Sequence, residues 1–359
     1  MQPPKPKLTW KTVVFPLLGL VGFFLYIYLF QVDLLGIIAT AQTANPIFYS
    51  VAIMFGLLEV FFYTVSWYVL TNHLCIKMTL KRAYLYVWYG IYVDIVIPAE
   101  SISGEVTRAY LLTRDQCGSF GKVVASLFTH RLLGMAMNVF VLIAGVVLLS
   151  LEGQVSSIVF QLIIFIAVAI TAIIAVMFAL SFKQQLTLKL IDWATAFVQK
   201  ITFGKKNLTK FKEEAIQNTA HFHESMIEFR HNPKPIATSL LYLTITWIFS
   251  LSVPYVVFVA LGHQVSWSII LITSAIVLAV KSIPIGIPFE VGIPEAAMTT
   301  LYFSMGIPAE LSATATILTR IITLWFRFFI GFIAQQWLEL KPVIAPTANL
   351  EKTKIPPQP

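Results

Sequence analysis

The chain has 359 residues, of which 58% are apolar and only 12% charged, with a formal net charge of +8 and a mean hydropathy of +0.81. Ordinary globular chains carry about 25% charged residues, so a soluble domain is excluded. Stretches of roughly 20 apolar residues are long enough to cross a bilayer as helices, and the alternating pattern of a membrane β-barrel is absent. Lipid offers no partner to unpaired backbone groups, which leaves an all-α fold: a polytopic integral membrane helical bundle.

Residues 12–31 form the first predicted span, preceded by Lys5, Lys7 and Lys11. The run is long, lacks a small-residue cleavage site and leads into further spans, so it reads as a retained helix rather than a signal peptide. Lys/Arg-rich loops stay cytoplasmic, which places the N-terminus inside. Residues 46–71 return, ending before His73, Lys77, Lys81 and Arg82. Glu59 is alone in this second span: either a functional carboxylate, the default for an ionisable group at membrane depth, or a protonated or locally hydrogen-bonded structural residue.

From Tyr84 to Pro98 the chain is apolar but short for a crossing. It breaks near 98–104, and a second short helix runs from Gly104 to Thr113. Basic residues at both ends suggest a re-entrant hairpin, whose irregular backbone is tolerated only when buried or lining a wet cavity. Residues 120–150 and 155–182 then cross out and back. Residues 183–235 form a basic cytoplasmic segment, with seven lysines and one aspartate up to Lys212. Leu186, Leu190, Trp193, Phe197 and Ile201 recur at helical spacing, making 183–212 an amphipathic helix suited to anionic inner-leaflet lipid. The basic excess lies in such loops, which points to lipid head groups and away from nucleic acid. His221, His223 and His231 fit a metal site poorly, because alternate-residue spacing does not share a helical face. Cys75 and Cys117 lie far apart in sequence and read as unpaired thiols.

Residues 236–260 cross again, and 265–283 descend into a second break near 284–294. Glu295–Met305 climbs back, 309–338 makes the last crossing, and 341–359 is a disordered tail with both termini inside. The first repeat plus one further span occupies 1–182, and the second repeat 236–340. Span, span, hairpin, span thus occurs twice with opposite entry, an inverted repeat with two broken, re-entrant hairpins. Eight full crossings would also leave both termini inside.

The two breaks match each other. Pro98, Glu100, Glu105 and Arg131 recur in order as Pro288, Glu290, Glu295 and Arg320, with one residue of difference before the arginine. A glutamate at a helix start caps unpaired N–H groups and is favoured by the helix dipole. That does not account for the arginines, each of which costs on the order of 2.5–3.5 kcal/mol at membrane depth on insertion scales. Glu105–Arg131 and Glu295–Arg320 are therefore expected to pair, with Arg108 and Arg327 joining the same network. The pairs are either structural braces or a polar midplane site whose guanidinium forks bind phosphate.

Pro98…Gly104-Glu105-Val-Thr-Arg108 followed by Arg131, and Pro288 through Gly292 to Glu295 followed by Gly306 and Arg320, resemble the two signatures of the flippase-like lysylphosphatidylglycerol synthase transmembrane family. The resemblance covers nearly the whole chain. In multiple peptide resistance factors such a domain moves aminoacylated phosphatidylglycerol between leaflets. Three departures stand out: His130 where the family often has Glu, Phe289-Glu290 where paired glycines are usual, and about twenty residues after Trp337 in place of a synthetase domain.

The expected function is a plasma-membrane lipid transporter or flippase for an anionic or phosphate-bearing head group, aminoacylated or glycosylated species included. Its substrate-binding candidates are Glu105, Arg131, Glu295, Arg320, Arg108, Arg327, Glu100 and Glu290. Phospholipid or glycolipid head groups are the expected ligands. No catalytic residue, metal or cofactor is expected: the chain has no P-loop, no His-Glu-x-x-His and no nucleophile elbow. Two alternatives remain, a membrane enzyme acting on a polyprenyl or glycosyl lipid and a scaffold subunit for a separate synthase or glycosyltransferase.

Overall fold

The computed structural model describes residues 34–97, 102–151, 157–201, 209–281 and 292–340. Numbered from the first described helix, α1 is Leu34–Gln42, α2 Pro46–His73, α3 Leu80–Val96, α4 Ile102–Arg114 and α5 Phe120–Leu151. Then follow α6 Ser157–Phe182, α7 Gln184–Ile201, α8 Thr209–His231, α9 Lys234–Ala260 and α10 Trp267–Lys281. Last come α11 Ile293–Ser304, α12 Ala309–Arg320, a π-helical segment Ile321–Phe326 and α13 Arg327–Leu340. Every described element is helical, as the lipid-solvation argument requires.

The helix ends follow local chemistry. Asn45 caps α2, its side chain accepting from Ile47 N at 2.9 Å, with Pro46 in the first turn where no N–H is needed. Thr79 caps α3 through Arg82 N. Among the described residues, five stretches are long and apolar enough to span a membrane: Pro46–His73, Phe120–Leu151, Ile163–Phe182, Lys234–Ala260 and Ala309–Glu339. They coincide with five of the six predicted crossings, and the sixth, 12–31, lies outside the described residues. The helices α3, α4, α10 and α11 are the four short pieces predicted to flank the breaks. The breaks themselves, 98–101 and 282–291, lie outside the described residues, as does the tail.

Two apolar cores organise the bundle. One gathers the Ala52 end of α2, the Val141–Leu149 part of α5, and α9, α10, α11 and α12. The other gathers α2 from Val60 to Leu74, α3, α4, the Val123–Leu127 part of α5, and Phe222, Met226 and Phe229 of α8. Each core thus surrounds one broken pair of helices, while α2 and α5 run through both. The α3–α4 crossing is tight because Gly90 and Gly104 meet there; a Cβ on Gly104 would lie 2.7 Å from Gly90 O.

The segment 183–235 divides in two. Helix α7 carries Leu186 and Trp193 exposed, while α8 packs against the bundle through buried Phe222, Met226 and Phe229. It lies so close to α5 that a Cβ on Gly121 would come 2.7 Å from His221 Cβ. His223 Nδ1 meets Ser181 O at 3.0 Å, joining α8 to the end of α6. Burial holds the His223 imidazole pKa below its usual value, and the Ser181 contact opposes that only in part.

Candidate functional site

Glu295 is the better buried of the two repeated carboxylates. It lies in the first turn of α11, where Gly292 precedes the helix at φ 101, a conformation open to glycine. Its Oε2 accepts from Gly292 N at 2.7 Å, while Oε1 accepts from Arg320 Nε at 2.6 Å. Capping and ion pairing are therefore both true of this residue. The side chains are 3% and 7% exposed, so the pair is dry.

Glu105 occupies the matching place on α4 and pairs with Arg131 Nη1 of α5 at 3.1 Å, but with side chains 21% and 26% exposed. Among the described residues it takes no N–H group of its own helix. Capping falls to Asp94 of α3, whose Oδ1 accepts from Gly104 N at 2.6 Å and Ser103 Oγ at 2.7 Å. Asp94 was not singled out from the sequence, although a carboxylate in the apolar Tyr84–Pro98 run carried the same signal as Glu59.

The supporting arginines do not join these pairs as expected. Arg327 forms an ion pair with Glu59 of α2, giving that isolated carboxylate a partner 268 positions away. The π segment supplies the reason. Seven residues of α-helix return to within about 20° of the same face, which would point Arg320 and Arg327 alike. The wider π turn advances less per residue and swings Arg327 toward α2.

Arg108 takes another course. It is 5% exposed and lies over the rings of Tyr63 and Trp67, its Cζ 5.7 and 5.0 Å from their centroids. Nη2 reaches the Tyr63 hydroxyl at 3.5 Å, and Nη1 is buried without a hydrogen-bond partner. His130, 3% exposed, meets Tyr63 edge-on at 4.6 Å, with Nε2 likewise unpartnered. Glu100 and Glu290 lie outside the described residues.

One face of α2 links these groups. Tyr49 donates to Leu318 O at 3.1 Å, and Gly56 lets Ile322 approach so closely that a Cβ would sit 2.9 Å from it. Glu59 then takes Arg327, Tyr63 takes Arg108 and His130, and Trp67 Nε1 reaches Ser126 Oγ at 3.3 Å. The spacing of three, four and four residues is that of a helix face.

Among the described residues, no three His, Cys, Asp or Glu side chains gather around a common point. His221 pairs with Glu224 at 3.4 Å and His231 bonds its own helix at Ile227 O. Cys75 and Cys117 are free thiols on adjoining loops, with Lys77 N donating to Cys117 O at 2.8 Å.

The chain is similar to curated proteins described as UPF0104 membrane proteins. That of Pyrococcus horikoshii is 24% identical over 80% of this chain and 85% of its own length. That of Methanothermobacter thermautotrophicus is 20% identical over 82% and 86%. That of Methanocaldococcus jannaschii is 22% identical over 83% and 87%. With its spans and these relatives, the chain is a multi-pass membrane protein. The family model described as the lysylphosphatidylglycerol synthase TM region matches residues 13–331, from before the first described helix into α13. The chain belongs to the lysylphosphatidylglycerol synthase TM region family.

Proposed function

We propose that the protein is a lipid transporter that moves an anionic or phosphate-bearing lipid between leaflets through a polar midplane site. The carrying observation is the pair of acid–arginine contacts, Glu105–Arg131 and Glu295–Arg320, each joining a short helix beside a break to a long helix. A carboxylate keeps each guanidinium neutralised while the site is empty, and an arriving phosphate competes for the same planar donors. The two units are taken as an inverted repeat of re-entrant hairpins, with both termini on the cytoplasmic face of the plasma membrane. Exposed Leu186 and Trp193 on α7, beside Lys183 and Lys189, suit that helix to anionic inner-leaflet lipid.

The test is head-group translocation in proteoliposomes. Arg131→Ala and Arg320→Ala proteins that fold normally are expected to lose most of the wild-type rate. Unchanged rates in both would remove these residues from any transport path.

A further inference from the structure

Each of the other three arginines among the candidate site residues has a carboxylate in hydrogen-bond contact: Arg131 has Glu105, Arg320 has Glu295 and Arg327 has Glu59. Arg108 has none among the described residues, although Glu105 is one turn away on its own helix and already holds Arg131. A buried charged donor without an acceptor costs more than a neutral one in the same place. Its surroundings offer cation–π contact, a long bond to one hydroxyl and the nearby charges of Glu105 and Asp94, yet Nη1 is left buried without an acceptor.

We propose that Arg108, His130 and Tyr63 form the pocket that receives the phosphate ester of the transported lipid. This deepens the transport proposal and rests on it. Three donor groups converge there from three helices: the Arg108 fork from α4, the His130 imidazole from α5 and the Tyr63 hydroxyl from α2. Arg108 and His130 both meet the ring of Tyr63, at 5.7 and 4.6 Å from its centroid. A planar carboxylate engages the guanidinium fork and leaves the other donors unused, whereas a phosphate ester presents oxygens in more than one plane. The neutral or cationic imidazole beside Arg131 adds no competing negative charge.

The lipid, rather than a free anion, is favoured by the other side of α4. Ile102, Val106 and Tyr110 are 53%, 61% and 52% exposed and recur every fourth residue, an apolar stripe on the same short helix. Acyl chains along that stripe keep the head group within reach of Arg108. The Glu105–Arg131 pair, on the same two helices as Arg108 and His130, is partly exposed, which makes it the side from which this proposal has the ester arrive.

Isothermal titration of the full chain in a maltoside detergent tests this, with dioctanoyl phosphatidylglycerol, inorganic phosphate and dioctanoylglycerol as probes. The wild type is expected to bind the phosphatidylglycerol and not the dioctanoylglycerol. Arg108→Gln should weaken binding about tenfold or more and His130→Phe several-fold, with Arg114→Gln, which removes a contact to Glu339, unchanged. Should Arg108→Gln fail to fold, Arg108→Lys and Tyr63→Phe carry the test, because one loses the planar fork and the other the hydroxyl. Both are expected to weaken binding several-fold. Undiminished affinity in the folded pocket variants overturns the proposal, and so does inorganic phosphate binding as tightly as the lipid. If those variants bind normally while Arg131→Ala and Arg320→Ala abolish translocation, the pocket is refuted and transport stands. If the wild type binds the lipid through Arg108 but moves none, transport fails while the pocket remains.

Discussion

Removing Arg320 and removing Arg131 perturb similar contacts in different surroundings, and the cost should follow the surroundings. Arg320→Met strands Glu295, whose side chain is 3% exposed and which keeps the hydrogen bond from Gly292 N. Breaking a buried pair by deleting one partner costs about 3–5 kcal/mol. The helix N-terminus still favours the carboxylate by about 0.3–1 kcal/mol, which places the expected loss near the bottom of that range, about 3 kcal/mol. Arg131→Met leaves Glu105 with its side chain 21% exposed, where water takes over much of the solvation. A partly solvated pair is worth about 1 kcal/mol, so the two variants should differ by about 2 kcal/mol.

Reversible unfolding in mixed micelles, read by intrinsic fluorescence, measures both. The double variant Glu295→Gln/Arg320→Met sharpens the comparison, since Gln keeps an acceptor for Gly292 N and no buried charge is left alone. It should be more stable than Arg320→Met by itself. Equal losses from Arg131→Met and Arg320→Met, or a double variant no better than the single, would refute the assignment of the cost to an uncompensated buried charge.

Gly104→Ala should loosen the α3–α4 crossing by about 1–3 kcal/mol, because its Cβ has only the Asp94 carboxylate and Gly90 O to meet, the latter at 2.7 Å; Gly134→Ala, with nothing within 4 Å, should be near neutral in the same unfolding assay. Asp94→Ala removes the acceptor for Gly104 N and Ser103 Oγ and should cost about 1 kcal/mol, seen as faster amide exchange in the first turn of α4. The depressed His223 pKa makes a pH prediction. The unfolded chain takes a proton near pH 6.5 where the docked ring does not, so this contribution is complete above about pH 6.5 and falls away as pH drops through the folded value. Amide exchange in α8 should therefore quicken on acidification, and His223→Gln should remove that component; an unaltered pH profile in the variant would rule it out.

The long helices were legible because a run that must cross hydrocarbon has few alternatives: five apolar stretches and the four short pieces beside the breaks fall where composition puts them. The two acid–arginine contacts were legible for a related reason. A carboxylate opening a short helix and an arginine on the next long one recur at matched spacing, and membrane depth obliges each arginine to find an anion. Partners set by packing between remote helices were not legible. Nothing local joins Glu59 to Arg327 or Arg108 to Trp67, and no residue pattern in Ile321–Phe326 announces the π turn that redirects Arg327. Asp94 was legible and overlooked, since it lies in an apolar run that already called for an explanation.

Helix α2 gives the two units a shared mechanical element. It touches α12 through Tyr49, the π segment through Gly56, α13 through Glu59, and α4 and α5 through Tyr63. A shift of α2 along its axis therefore alters the surroundings of Arg320 and Arg108 together. Spatial intermediacy alone does not establish coupling; an element with two discrete arrangements is needed. The π segment is that candidate, because converting it to α-helix would rotate Arg327 back toward the Arg320 face and away from Glu59. The two acid–arginine contacts differ now, one dry and one partly open. If the proposed transport alternates between the two units, that inequality fits a state with the Glu105 side open to solvent and the Glu295 side closed. Under the transport proposal, an exchange of those roles that ran through the π segment would part Glu59 from Arg327, so this third ion pair would oppose the change.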